Sequence, residues 1–288
     1  MLTEKQHEAR KVGGSSIGTI LNLNPYQTPI ELWKVDTGQV PPFEGNESTQ
    51  AGEVMESAIS DLYELRSGNK VRRSNITHVH KEHPFLTAHP DRLCVGMRRG
   101  VEIKNIGRNM ARFWGESGSD DVPPYYLMQA HHCMLVLDYA EWDIVAYFGG
   151  GDMAIYPVKR SADMDAIIID AARAYWHCVE TRTPPVFDPN HPRAVEALKR
   201  IYPGTDGTTV QGDQKLLAWS EVERDAGVQK ARYEDVQDGA KAHLLAAMGE
   251  ASVLTLPDGS SYTRKTVKRG AYEVEATEYV QLKWSKPK

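Results

Sequence analysis

The chain has 288 residues, 41% of them apolar and 25% charged, which is enough to bury a core in one large domain or two smaller ones and excludes collagen-like, coiled-coil and wholly disordered proteins. Its net charge of −5 argues, taken alone, against a protein that binds nucleic acid, because phosphate binding depends on positive charge. The three cysteines are too widely spaced for a disulfide framework or a clustered metal site, and neither a signal peptide nor a membrane span is visible, so we expect a protein of the reducing cytoplasm.

The first predicted elements are two helices. Thr28 and Glu31 have the spacing of a capping box, with a proline at the first helical position, so a short helix is expected over residues 28–37. A second helix is expected from about residue 48 to residue 66, with Gly68 just beyond its end.

Alternating strands and helices follow. Short strands are predicted at residues 75–80, 85–88, 92–95 and 101–104, an apolar helix from Pro124 to about Leu137, further strands at residues 141–148 and 153–158, and a long helix at residues 164–180. The pattern indicates a mixed α+β body.

The character of the chain changes beyond residue 188. Helices are predicted near residues 191–202, 213–224 and 229–248, and two strands around the turn Pro257-Asp258-Gly259. We place a boundary near residue 205, between a core domain of residues 1–205 and a C-terminal extension of residues 206–288. Residues 262–288 carry seven basic and three acidic side chains, so a basic tail follows an acidic body.

The sharpest signal for chemistry is the run Val101-Glu102-Ile103-Lys104. On a strand, successive side chains point to opposite faces, so Glu102 and Lys104 project together while Val101 and Ile103 enter the core. A carboxylate and an ammonium on one face can share a metal-bound water. For the tripeptide alone, a surface ion pair on an edge strand is the commoner arrangement.

Two further carboxylates and an amide extend this pair. Asp91 follows a proline at a bend between two short strands, from which it can face Glu102, although a turn aspartate is the commonest use of this dipeptide. Glu56 lies at the margin of the apolar arc of its helix, an arc that includes Leu65, and the alternative is a boundary glutamate whose stem covers apolar surface. Gln129, on the apolar helix, would face a polar site or satisfy a structural network.

Taken in order, Glu56, Pro90-Asp91, Glu102-Ile103-Lys104 and Gln129 resemble the PD-(D/E)xK nuclease superfamily. The run GGSSIGTILNLNPYQTPIELW is similar to the opening of the phage lambda exonuclease group, also called the YqaJ-like viral recombinase family. The resemblance covers about residues 10–180. It implies an α/β core with a mixed central sheet flanked by helices. The implied activity is digestion of duplex DNA from a 5′ end, which releases 5′ mononucleotides and leaves 3′ single strands for phage-type recombination by strand annealing.

The resemblance also assigns roles to residues. The metal ligands would be Asp91, Glu102 and the backbone carbonyl of Ile103, with Glu56 assisting. They would hold Mg²⁺, as two ions for which Mn²⁺ can substitute. Lys104 would orient or deprotonate the attacking water, and Gln129 would support Lys104.

The glycine-rich opening suggests where a 5′ phosphate would rest. Ser15 lies at the start of a helix, where a hydroxyl and free backbone N–H groups can bind an anion, and Arg10 is nearby. A plain serine cap is the alternative. His89 stands where the lambda group looks to have serine, so phosphate contacts there would differ or become pH-sensitive.

Further DNA contacts are expected in the C-terminal extension. Its basic hairpin region places Lys265, Lys268 and Arg269 among tyrosines, which could follow a phosphate backbone or stack on bases. A solvated face is the ordinary alternative.

By resemblance, the protein would act on duplex ends that carry a 5′ phosphate, as a ring-shaped homotrimer. It would work with a single-strand annealing protein in the cytoplasm of a bacterial host, away from membranes. Two alternatives stay open: an endonuclease of the same superfamily, of restriction or repair type, and a non-catalytic DNA-binding subunit. The presence of all four polar positions argues against the second alternative.

Overall fold

A five-stranded mixed sheet lies at the centre of the computed structural model, which describes residues 11–268. Its strands, in spatial order, are β1 (Val71–Arg72), β4 (Arg92–Cys94), β5 (Arg99–Asn105), β6 (Glu141–Gly149) and β7 (Asp152–Lys159). Strands β5 and β6 pair in parallel and the other neighbours pair antiparallel. A separate antiparallel pair is formed by β2 (His78–Val79) and β3 (Thr87–Ala88).

Helices cover both faces of this sheet. They are α1 (Gly14–Ile20), α2 (Pro29–Asp36), α3 (Glu47–Ser67), α4 (Pro124–Leu137), α5 (Ala162–Glu180) and α6 (Ala194–Ile201). Successive residues of β6 serve opposite faces, because Ile144 packs in the core beneath α4 whereas Val145 packs with residues of α3. The predicted fold, a mixed sheet flanked by helices, is therefore confirmed.

Helix boundaries follow local capping chemistry. Thr28 Oγ1 accepts from the Glu31 N–H at 3.2 Å while the Glu31 carboxylate accepts from the Thr28 N–H, so the predicted capping box is confirmed. Asn46 caps α3 in the same way, and Gly68 ends that helix with a φ of 75°.

The central parallel pair decides where the candidate site lies. Parallel strands cannot be joined by a tight turn, and here a 3₁₀ helix (Arg108–Phe113) and α4 lie between β5 and β6 in the chain. As a result α4 packs across the face of β5 that carries Glu102 and Lys104.

Three sequence predictions needed correction. The helices predicted at residues 213–224 and 229–248 are one helix, α7 (Gln214–Met248), because a single interior Gly227 costs only about 1 kcal/mol and does not end a helix. The strand predicted at residues 75–80 is reduced to β2, and β1 was missed because two residues carry no periodic signal.

The described chain packs as two compact units that divide between Tyr202 and Pro203. The second unit contains α7 and the antiparallel strands β8 (Val253–Thr255) and β9 (Ser261–Thr263), which form the predicted hairpin. Among residues 11–268, none of the helices has the length and apolar character needed to cross a membrane.

Candidate active site

Strand β5 carries an ion pair that is largely shielded from solvent. Lys104 Nζ donates to Glu102 Oε1 at 2.7 Å, and the intervening Ile103 points into the core beneath α3. Only 3% of the Glu102 side chain and 18% of the Lys104 side chain are exposed. The alternative of a surface ion pair on an edge strand is therefore wrong, since β5 lies between β4 and β6.

Helix α4 adds an amide and an aromatic ring to this pair. Gln129 Nε2 donates to Glu102 Oε1 at 2.5 Å, and Gln129 Oε1 accepts from Lys104 Nζ at 3.2 Å. The ring of Tyr126, one turn earlier on α4, has its centroid 4.9 Å from the same ammonium. A carboxylate, an amide and an aromatic face together fix the direction of the Lys104 N–H groups.

Asp91 reaches the site because β4 ends beside it. The antiparallel pairing of β4 with β5 runs only as far as Arg92 opposite Val101, so the next backbone positions of β5 have no partner in β4. Asp91 Oδ2 accepts from the Ile103 N–H at 2.7 Å and so takes the place of a neighbouring strand. The structure thus brings together Asp91, Glu102, Lys104 and Gln129.

The pKa values of Asp91 and Lys104 are both raised. Burial, followed by the charge of Glu102, raises the pKa of Asp91 to about 8, although the Lys104 ammonium opposes the shift. Burial lowers the pKa of Lys104, but the Glu102 and Asp91 carboxylates more than offset this effect, and the pKa is raised overall. Lys104 therefore holds its proton firmly, which favours an orienting role over removal of a proton from water.

The carboxylates fit a divalent cation. Glu102 Oε2 is buried and accepts no hydrogen bond, and Asp91 supplies a second, partly buried carboxylate beside it. A hard cation would bind both Glu102 Oε2 and an oxygen of the Asp91 carboxylate. Within residues 11–268, no three His, Cys, Asp or Glu side chains lie close enough together to hold a metal ion by themselves. The Ile103 carbonyl and water would have to complete the coordination.

Glu56 is tied to the site through an arginine that the sequence analysis did not identify. Arg92 contacts Glu56 Oε1 through one guanidinium nitrogen, which also donates to the Asp91 carbonyl at 2.7 Å, while Arg92 Nε donates to Ser60 Oγ at 3.0 Å. The Arg92 side chain is 5% exposed and that of Glu56 is 27% exposed. An arginine in a three-residue strand that is buried throughout has no alternation pattern to mark its direction, so the sequence contained no signal for it.

The inward face of α3 differs from the predicted arc. Its buried residues are Ile59, Ser60 and Tyr63, whereas Leu65 is 81% exposed. Glu56 therefore lies in line with the buried stripe, since it precedes Ile59 and Ser60 by three and four residues.

The glycine-rich opening lies against the same helix as Gln129. A side chain at Gly14 would begin 3.4 Å from Gln129 Cγ, so α1 starts in direct contact with α4. Ser15 is exposed in the first turn of α1. The N-cap residue is Gly13, which has no side chain with which to cap the helix. The alternative of a serine cap at Ser15 is wrong, and Arg10 lies outside the described residues.

The remaining predicted contacts that fall within residues 11–268 are on the surface. His89 is exposed, and its Nε2 lies 2.7 Å from Thr77 Oγ1. Lys265 and Lys268 are exposed beyond β9 in the second unit, and Arg269 lies outside the described residues.

Known proteins share sequence with this chain. Residues 4–140 match the YqaJ-like viral recombinase domain. The chain is 32% identical over 204 residues to the uncharacterized protein YqaJ of Bacillus subtilis, a match that covers 69% of this chain and 63% of that protein. This chain therefore spans less than two thirds of the length of that relative.

Solved structures share the fold. An alkaline exonuclease, LHK-Exo, from Laribacter hongkongensis aligns with a TM-score of 0.52 at 20% identity, over 69% of this chain and 97% of that one. A structure of LHK-Exo in complex with dAMP aligns over the same shares at 20% identity with a TM-score of 0.51. The expected family resemblance is confirmed: residues 4–140 match the YqaJ-like viral recombinase domain, the chain is similar in sequence to YqaJ, and it shares its fold with LHK-Exo.

Proposed function

We propose that this protein is a metal-dependent exonuclease that digests linear duplex DNA from its 5′ ends. It releases 5′ mononucleotides and leaves 3′ single strands for recombination by strand annealing. The observation that carries the proposal is the partly buried array of Asp91, Glu102, Lys104 and Gln129, in which one buried oxygen of Glu102 accepts no hydrogen bond. The binding of dAMP by LHK-Exo, which shares the fold, supports a deoxynucleotide product.

Each residue of the array has a separate task. Asp91, Glu102 and the Ile103 carbonyl would hold Mg²⁺, as two ions that Mn²⁺ can replace, and the bound metal supplies stabilisation of charge on the scissile phosphate. Lys104 donates its N–H groups to the attacking water or a phosphate oxygen, because its raised pKa keeps it protonated. Gln129 holds Lys104 and Glu102 at their observed positions. Ser15, with Arg10 and His89, would receive the terminal 5′ phosphate.

The decisive experiment compares linear and closed circular duplex DNA. We expect 5′-phosphorylated linear duplex to be digested to mononucleotides with Mg²⁺ or Mn²⁺ and to survive with a chelator, while closed circles survive in both conditions. Cleavage of closed circles would identify an endonuclease. Tight DNA binding without cleavage under any metal condition would identify a non-catalytic subunit.

The proposal extends to assembly and location. We infer a ring-shaped homotrimer around DNA that works with a single-strand annealing protein in the bacterial cytoplasm. Sedimentation equilibrium of the full chain tests the first inference, and a mass near that of a single 32.2 kDa chain at working concentration contradicts it. Co-purification from the native host at native expression levels tests the second.

A further inference from the structure

A cleft of about 960 Å³ opens in the first unit, apart from the carboxylates of the candidate active site. Its walls come from α2, from the loop of residues 40–46 and from α6. The side chains that matter most are Tyr26, Phe43, Lys34, Arg193 and Arg200. This volume is large enough for one or two nucleotides.

The lining of the cleft carries three cations, Lys34, Arg193 and Arg200, and two carboxylates, Glu31 and Glu44. Arg200 and Arg193 both approach Glu31 Oε1, at 3.2 and 3.8 Å, and Lys34 supplies a third cation. The other oxygen of Glu31 is engaged by Thr28, so a single carboxylate serves two guanidinium groups. The Arg200 side chain is 69% exposed and that of Arg193 is 32% exposed. Both arginines therefore retain N–H donors for a further anion.

Two aromatic rings stand at the edge of the same cleft. Tyr26 is 57% exposed and Phe43 is 71% exposed. Exposed rings beside arginine and lysine are the combination that binds unpaired nucleic acid, because bases stack on the rings while the cations bind phosphates.

A row of tyrosines connects the cleft with the active-site lysine. Tyr126 lies beside Lys104, its ring centroid is 4.2 Å from that of Tyr125, and the Tyr125 centroid is 6.1 Å from that of Tyr26. Tyr26 itself lines the cleft. A strand that enters the active site can therefore continue along this row into the cleft.

We propose that the cleft binds the unpaired segment of a single DNA strand next to the nuclease centre. This inference rests on the proposed function, since it names the part of the substrate that the cleft receives. The phosphates contact Arg193, Arg200 and Lys34, and the bases stack on Tyr26 and Phe43.

The test measures binding of a short fluorescent oligothymidine strand by anisotropy, in chelator so that no hydrolysis occurs. Arg200→Ala and Phe43→Ala should each weaken the affinity by about fivefold or more. Arg200→Ala should also reduce the slope of log affinity against log salt by about 0.7. The matched controls are Arg173→Ala, an exposed ion-paired arginine on α5, and Leu65→Ala, an exposed apolar residue on α3.

Equal affinity in the cleft variants and their controls overturns the proposal, whatever the outcome of the nuclease assays. A wild-type protein that fails to digest linear duplex, but whose oligothymidine binding still depends on Arg200 and Phe43, overturns the proposed exonuclease and leaves the cleft as a single-strand site. The two failures are thus distinguishable.

Discussion

At the residue scale, Lys104 is a fixed cation between acidic groups. Lys104→Met keeps most of the side-chain length but removes the N–H donors, so we expect turnover to fall by about 100-fold or more while DNA binding persists. The run Asp213-Gln214-Lys215 has the same spacing of a carboxylate and a lysine as Glu102-Ile103-Lys104. Lys215→Met, which changes an exposed lysine, therefore provides the control. Near-normal turnover of Lys104→Met would contradict the assigned site.

Arg92 holds Glu56 and the Asp91 carbonyl in position. Arg92→Ala would leave Glu56, which is 27% exposed, without its buried partner and the Asp91 carbonyl without a donor, at a cost of about 1–3 kcal/mol in the free energy of unfolding. Arg73 also contacts Glu56, at 3.4 Å, but its side chain is 59% exposed. Arg73→Ala should therefore change stability by less than about 1 kcal/mol. Denaturant titration of both variants checks this difference, and equal losses would show that burial of Arg92 is not what matters.

At the scale of elements, the pairing of β5 with β6 requires a glycine. Gly100 lies opposite Trp142, and a side chain at Gly100 would begin 2.2 Å from the buried Trp142 ring. Gly100→Ala should destabilise the protein by about 1–3 kcal/mol through overpacking. Gly52→Ala, on α3 with open space around it, should instead stabilise by about 0.4–1 kcal/mol. Thermal unfolding distinguishes the two, and a stable Gly100→Ala would mean that the ring has room to move.

The elements also show which features can be predicted from sequence. The capping box at Thr28 and the alternation around Glu102 were predictable because their partners lie within three residues in the chain. The bond from Ile103 to Asp91 joins residues twelve apart. The bend after Pro90 indicated that Asp91 can face Glu102, but no local pattern predicted this bond. Arg92 and the tyrosine row depend on how strands and helices meet, which no local spacing encodes.

At the scale of the whole molecule, the net charge of −5 is a poor guide to its ligands. Asp91 and Glu102 belong to the acidic total, yet they fit a cation that would neutralise them locally. The cleft collects three cations, Lys34, Arg193 and Arg200, against two carboxylates, Glu31 and Glu44. The placement of charge, rather than its sum, therefore decides where an anionic substrate can bind.

The stability of the metal-free protein should depend on pH through Asp91. Its folded-state pKa is about 8, against 3.8 for an ordinary aspartate, so the folded protein holds this proton more tightly than the unfolded chain. The stabilising contribution is complete below pH 4 and is lost as the pH rises toward 8, by up to about 1.4 kcal/mol per pH unit. Buried His132, whose pKa is lowered to about 4 mainly by burial, acts in the opposite direction in acid.

Comparison with Asp91→Asn isolates this contribution, because the histidines are common to both proteins. In chelator, the free energy of unfolding of Asp91→Asn minus that of the wild type should increase from pH 4 to pH 8. Adding Mg²⁺ at pH 8 should stabilise the wild type, since the cation binds the ionised carboxylate of the folded state, and should have a much smaller effect on the variant. A difference that stays constant with pH would show that Asp91 is ionised throughout, and equal stabilisation of both proteins by Mg²⁺ would place the metal elsewhere.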